Sequence, residues 1–173
     1  YKRQSLALFL KALIAKDSSI KKQAEKIANF NNKHLFSRVF LNKKKWFTLN
    51  VIGSKNDPIE SIAEQIDLTI KEQWISKGIP APLKTKTKKT VAGVIKSFNN
   101  LIKELNKKGH GLILIVDEMG KFLDYASSVG SDLNLFQEIA ENFSNARLNK
   151  EGEPIFIGIL HQPFEEYASS LGR

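Results

Sequence analysis

Apolar positions along the chain follow two alternating rhythms, one of helical period and one of short unbroken runs, and their order lays out the elements. Ser5–Ala15 (Ser-Leu-Ala-Leu-Phe-Leu-Lys-Ala-Leu-Ile-Ala) is apolar nearly all round, which predicts a helix buried on most of its circumference. Ile20–Asn31 is more polar and predicts a second, amphipathic helix. Lys45–Ile52 is rich in aromatic and β-branched residues and stops at Gly53-Ser54, the pattern of a strand. Asp57-Pro58 then supplies a helix N-cap followed by proline in the first turn, and Ile59, Ile62, Ile66 and Ile70 carry a helical period to about Ile75. A further helix is predicted over Val91–Asn106 from Val94, Ile95, Phe98, Ile102 and Leu105, closed by Lys107-Lys108-Gly109. Leu112–Val116 is uninterruptedly apolar, as a strand covered on both faces requires. Helices follow over about Lys121–Ser127 and from Asp132 to about Leu148, the second on Leu135, Phe136, Ile139, Ala140 and Phe143. Pro154 opens a third strand, Ile155–Leu160, and Phe164–Leu171 predicts a last short helix. Strands alternating with helices point to an α/β layer fold with a parallel sheet.

The stretch 77–90 breaks the rhythm with Pro80, Pro82 and a Lys-Thr-Lys-Thr-Lys-Lys-Thr run, and is expected to be an exposed connection. With 173 residues and no internal repeat, the chain is expected to form one domain spanning 1–173. Its first and last residues already carry helical patterns, so both ends are expected to be cut from a longer protein. The absence of cysteine excludes a disulfide framework and a thiolate metal site. The longest apolar run is far too short to span a membrane, and Leu6–Leu10 is interrupted by Lys11 and lacks a cleavage site, so a cytoplasmic location is expected. The net charge of +9 comes almost wholly from lysine, with only four arginines. It permits contact with nucleic acid or acidic lipid without specifying either, since sequence-reading proteins lean on arginine.

The segment with chemical content is Gly111-Leu-Ile-Leu-Ile-Val-Asp117-Glu118. A buried parallel strand would deliver two carboxylates to its C-terminal edge, where open α/β sheets bind ligands. Adjacent acids there are unfavourable unless a cation sits beside them. A magnesium ion with phosphate oxygens, held by Asp117 directly or through water, answers that need, and Glu118 would then orient and deprotonate an attacking water. The simpler alternative is a strand ending in a solvated Asp-Glu turn.

Leu112–Glu118 resembles the Walker B segment of P-loop ATPases that use a catalytic glutamate, the broad group containing AAA and STAND proteins. The resemblance implies a three-layer αβα domain in which the next strand ends in a polar sensor residue. Here Ile155-Phe-Ile-Gly-Ile-Leu-His161-Gln162 releases two candidates, either of which would contact the γ-phosphate or the attacking water. It also implies that the Walker B strand lies between the other two, that Ser5–Ala15 is the helix after the phosphate loop, and that the loop's own strand lies beside the His-Gln strand. Arg173, after the last helix, matches a Gly-Arg that in AAA proteins reaches a neighbouring subunit's ATP, which implies self-assembly; an exposed terminal arginine is the plainer alternative. More narrowly, Asp117–Arg173 is similar to large bacterial ATP-binding proteins, some encoded among phage-defence genes.

The chain departs from the pattern where the Gly-Lys-Ser/Thr of the phosphate loop should precede Leu6-Ala7-Leu8, since Tyr1-Lys2-Arg3-Gln4-Ser5 stands there instead. Lys2, Arg3 and Ser5 are the substitutes at hand for contacting ATP. The expectation is thus a partial ATPase domain using ATP and Mg2+. Its rivals are a degenerate, non-hydrolysing scaffold or partner-binding module, and a lysine-rich nucleic-acid-binding module. Trp46 and Trp74 are expected to be packing residues, Arg147 is a weaker site candidate, and Asp124, Asp132 and Glu138 read as surface acids.

Overall fold

The computed structural model describes residues 45–160, apart from 79, 84 and 130–133, together with the helical residues Ser19, Ile20, Lys22, Gln23 and Lys26. The helices expected over Ser5–Ala15 and Phe164–Leu171 lie outside the described residues, as does most of Ile20–Asn31. The described elements run β1 (Lys45–Ile52), α1 (Pro58–Gln73), a single 3-10 turn (Ile75–Lys77), α2 (Val91–Lys107), β2 (His110–Asp117), α3 (Met119–Val129), α4 (Asn134–Leu148) and β3 (Pro154–Gly158). The described residues form an α/β fold with a parallel three-stranded sheet.

Local chemistry accounts for the boundaries. The Asp57 carboxylate accepts the backbone N–H groups of Ile59 and Glu60 at 2.7 and 3.3 Å, so α1 starts at Pro58 as the N-cap signal requires. The Thr90 hydroxyl accepts the Gly93 N–H at 3.1 Å and starts α2. At its other end Gly109 takes the left-handed conformation (φ 72°) that lets the chain turn straight into β2. Strand β3 is shorter than its apolar run. Beyond Gly158 the pairing is taken over by a single bond, from Ile159 N–H to the Val116 carbonyl at 2.9 Å.

The sheet order is β1-β2-β3, so the Leu112–Val116 run is central, as expected. Both pairings are parallel, with Leu49 opposite Leu114 and Leu114 opposite Phe156. Travel from β1 to β2 to β3 runs in one direction, and right-handed crossovers then place the intervening helices on one face. That face carries Phe47, Leu49, Val51, Leu112, Leu114 and Val116, and all four helices bury residues against it, among them Ile66, Phe98, Phe122 and Ile139, each fully buried. Trp74 stacks on Phe47 at 4.4 Å between centroids, and both Trp74 and Trp46 are buried, in keeping with packing roles. Trp46 lies on the opposite face, its ring over Gly111, where any side chain would collide with it.

The lysine-rich connection is fastened at one point. The backbone N–H and the hydroxyl of Thr87 both donate to the Asp67 carboxylate on α1, at 3.0 and 2.9 Å, and Thr87 is only 7% exposed. Lys89 pairs with Glu64 at 2.8 Å and Glu60 at 3.6 Å, and the hydrogen bond to Glu64 holds its ammonium above the ordinary lysine range. Replacing Asp67 with Ala should remove both Thr87 bonds and lower stability by about 1–3 kcal/mol. Urea unfolding measures that loss, and limited trypsin digestion should show faster cleavage at Lys86 and Lys88 than in the parent chain.

Candidate active site at the carboxyl edge of the sheet

Strand β2 ends by delivering Asp117 and Glu118 between the ends of β1 and β3, and four backbone hydrogen bonds fix them there. Gly53 N–H, just past β1, donates to the Asp117 carbonyl at 2.7 Å. Ile159 N–H, just past β3, donates to the Val116 carbonyl, while the Ile159 carbonyl accepts Met119 N–H at 3.0 Å. The Glu118 carbonyl accepts Lys121 N–H at 2.9 Å, the first turn of α3. The carboxylate pair is thus held from both sides and from the helix that follows.

Glu118 has φ of 53°, one of two non-glycine residues in the left-handed region among the described residues. For an L-residue this conformation is unfavourable by about 1–2 kcal/mol. Locally it is offset by the Asp117 carboxylate, which accepts Glu118 N–H at 2.9 Å, and by the tight passage of Gly53 alongside. A Cβ at Gly53 would collide with the Glu118 carbonyl, its carbon lying 2.7 Å away. Only glycine lets the two backbones approach this closely.

Both acids are half-buried. The cation demanded by two adjacent carboxylates is present within the chain, because the Lys121 ammonium forms an ion pair with the Glu118 carboxylate. The spacing of three between Glu118 and Lys121, at a helix start, is a local signal in the sequence for such a pair. By its sequence pattern Gly53 only ends a strand, but its role depends on a residue 65 positions away.

The remaining candidates divide sharply. Lys2, Ser5, His161, Gln162 and Arg173 lie outside the described residues, so Asp117 and Glu118 are the two whose positions are fixed. Leu160, immediately before His161, closes the described part of the β3 side of this edge. Arg147 is exposed in the last turn of α4, and Asp124 is exposed on α3. No cluster of three or more His, Cys, Asp or Glu side chains suited to hold a metal is found among the described residues. A magnesium ion bound through one carboxylate, with phosphate oxygens and waters completing its shell, needs no such cluster. Asp117 fits that single-carboxylate role. A groove of about 1050 Å³ lies elsewhere, along α2.

Gly53→Ala should destabilise the fold by about 1–3 kcal/mol, because backbone must move to admit the methyl group. Gly158→Ala meets only the flexible Met119 side chain, 2.7 Å away at its sulfur, and should change stability by less than about 1 kcal/mol. Chemical denaturation of the two variants side by side tests this ranking. Glu118→Gly should stabilise by about 1 kcal/mol, by relieving the left-handed strain; a loss of stability would show that the side chain holds the turn instead.

No known family, no curated protein and no solved structure matches the chain.

Proposed function

We propose that the chain is part of a P-loop ATPase domain that binds and hydrolyses ATP and couples turnover to conformational change, with Asp117 and Glu118 as its central acids. One observation carries the reading. A strained, non-glycine glutamate directly follows an aspartate at the carboxyl end of the buried central strand of a parallel sheet. Backbone strain of this kind persists where a side chain is needed in one place, and the carboxyl edge of an open parallel sheet is where such folds bind ligands.

In this reading Asp117 holds magnesium directly or through water, and the ion neutralises phosphate charge. Glu118 accepts the proton of the water that attacks the terminal phosphorus, as the bond to the bridging oxygen breaks and ADP leaves. To do so its carboxylate must leave Lys121. The pair is 24% exposed on the glutamate and 47% on the lysine, so separating it requires no more than about 1 kcal/mol. His161 or Gln162 would sense the terminal phosphate, Arg173 would reach a neighbouring copy's nucleotide, and Lys2 and Ser5 are the nearest candidates for phosphate contact. No described helix is long and apolar enough to cross a membrane.

A second reading, a non-hydrolysing module with the same sheet, is favoured by the same ion pair, which satisfies Glu118 without nucleotide. Glu118→Gln in the full-length protein separates the two. The ATPase reading expects retained nucleotide binding and turnover reduced by about 100-fold or more, as removal of a general base does. Phosphate release and fluorescent-nucleotide titration measure the two quantities. Unchanged turnover would remove Glu118 from the chemistry.

A further inference from the structure

The groove along α2 encloses about 1050 Å³ between that helix and the Thr85–Thr90 segment, away from the Asp117–Glu118 edge. Five lysines line it: Lys86 and Lys88 from the segment, and Lys96, Lys103 and Lys107 from one face of α2. Two are already neutralised. Lys103 pairs with Glu151 at 3.5 Å and Lys107 with Glu104 at 2.6 Å, the latter hydrogen bond holding the Glu104 carboxyl below its ordinary range. Lys86, Lys88 and Lys96 have no carboxylate partner among the described residues, and all five lysines are exposed. Thr87 lies between Lys86 and Lys88, and its bonds to Asp67 hold the backbone that presents them.

We infer that this groove binds the phosphate backbone of a nucleic-acid duplex without reading its sequence. The length of the lysine row calls for a polymer. Lys96 and Lys107, the latter in an exposed pair that phosphate can displace, stand about 16 Å apart along the helix, at 1.5 Å per residue, so one phosphate group cannot reach both. A concave lining fits a strand of phosphates better than the flat surface of a bilayer. Neither arginine nor an aromatic side chain lines the groove, which withholds both bidentate base contacts and a stacking platform for unpaired bases. What remains is a set of flexible point charges, the chemistry of counterion release from a regular duplex. This inference does not depend on the ATPase proposal, because none of these residues belongs to the Asp117–Glu118 edge.

The test is fluorescence anisotropy of a labelled mixed-sequence DNA duplex titrated with the full-length protein between 50 and 200 mM salt. Three phosphate contacts predict a log–log salt slope of about −2.7, and so about a 40-fold loss of affinity across that range. The K86E/K88E/K96E variant should lose binding at every salt concentration while keeping its circular-dichroism melt. Glu151→Gln, which frees Lys103, should tighten binding several-fold, an outcome that a folding defect cannot mimic. Glu118→Gln should bind duplex as the parent does. Absence of duplex binding at 50 mM salt, parent-like binding by the triple variant, or equal binding to phosphatidylserine vesicles or polyglutamate would each overturn the inference.

Discussion

Parallel pairing of β2 on both of its edges is the constraint from which the rest of the described structure follows. A parallel strand cannot be reached by a tight turn, so each neighbour must be joined through a helical crossover. Because the strand order follows the chain order, both crossovers run the same way and their helices fall on one face. That face receives the side chains of Leu112, Leu114 and Val116, and each of α1 to α4 contributes buried residues to the cluster around them. The register ends all three strands within a residue of one another, which brings Gly53, Asp117 and Ile159 to a single edge.

At that edge, packing and electrostatics make opposing demands. The sheet presses the β1 exit against the β2 exit so closely that position 53 admits only a hydrogen atom. The chain must then leave β2 through a left-handed residue, and the residue there is glutamate rather than glycine. Glycine would serve the backbone better. A carboxylate kept in an unfavourable conformation, next to a second carboxylate, is a placement that stability alone does not explain. Lys121 supplies the compensating charge from the first turn of α3, through a partly exposed contact weak enough to be exchanged for another.

The lysines obey a different balance. Net charge of +9 opposes compaction through self-repulsion, and the fold relieves part of it by local pairing, as at Lys89 with Glu60 and Glu64. Burial of Thr87 against Asp67 then fixes the backbone between Lys86 and Lys88, so these two charges stand beside α2 at a defined place.

Periodicity, capping and propensity are local properties, and wherever they acted alone the sequence was a sufficient guide. Lys45–Ile52 is a strand over those same residues, Asp57-Pro58 starts a helix, Lys108-Gly109 ends one, and unbroken apolarity marks the central strand. The Asp117–Glu118 pair was legible for the same reason, since a strand's last residues must emerge at its end. The rest required groups brought together from distant parts of the chain. Nothing near Gly53 announces that the Glu118 carbonyl will lie against it, and nothing in the Lys-Thr run says that one threonine is buried on Asp67. The left-handed turn at Glu118 accompanies the close approach of two strand ends, whereas its ion pair to Lys121 lies at a local spacing of three. Composition could count the lysines, but only the packing of the Thr85–Thr90 segment beside α2 decided which of them share a groove, because that depends on distances in space rather than along the chain.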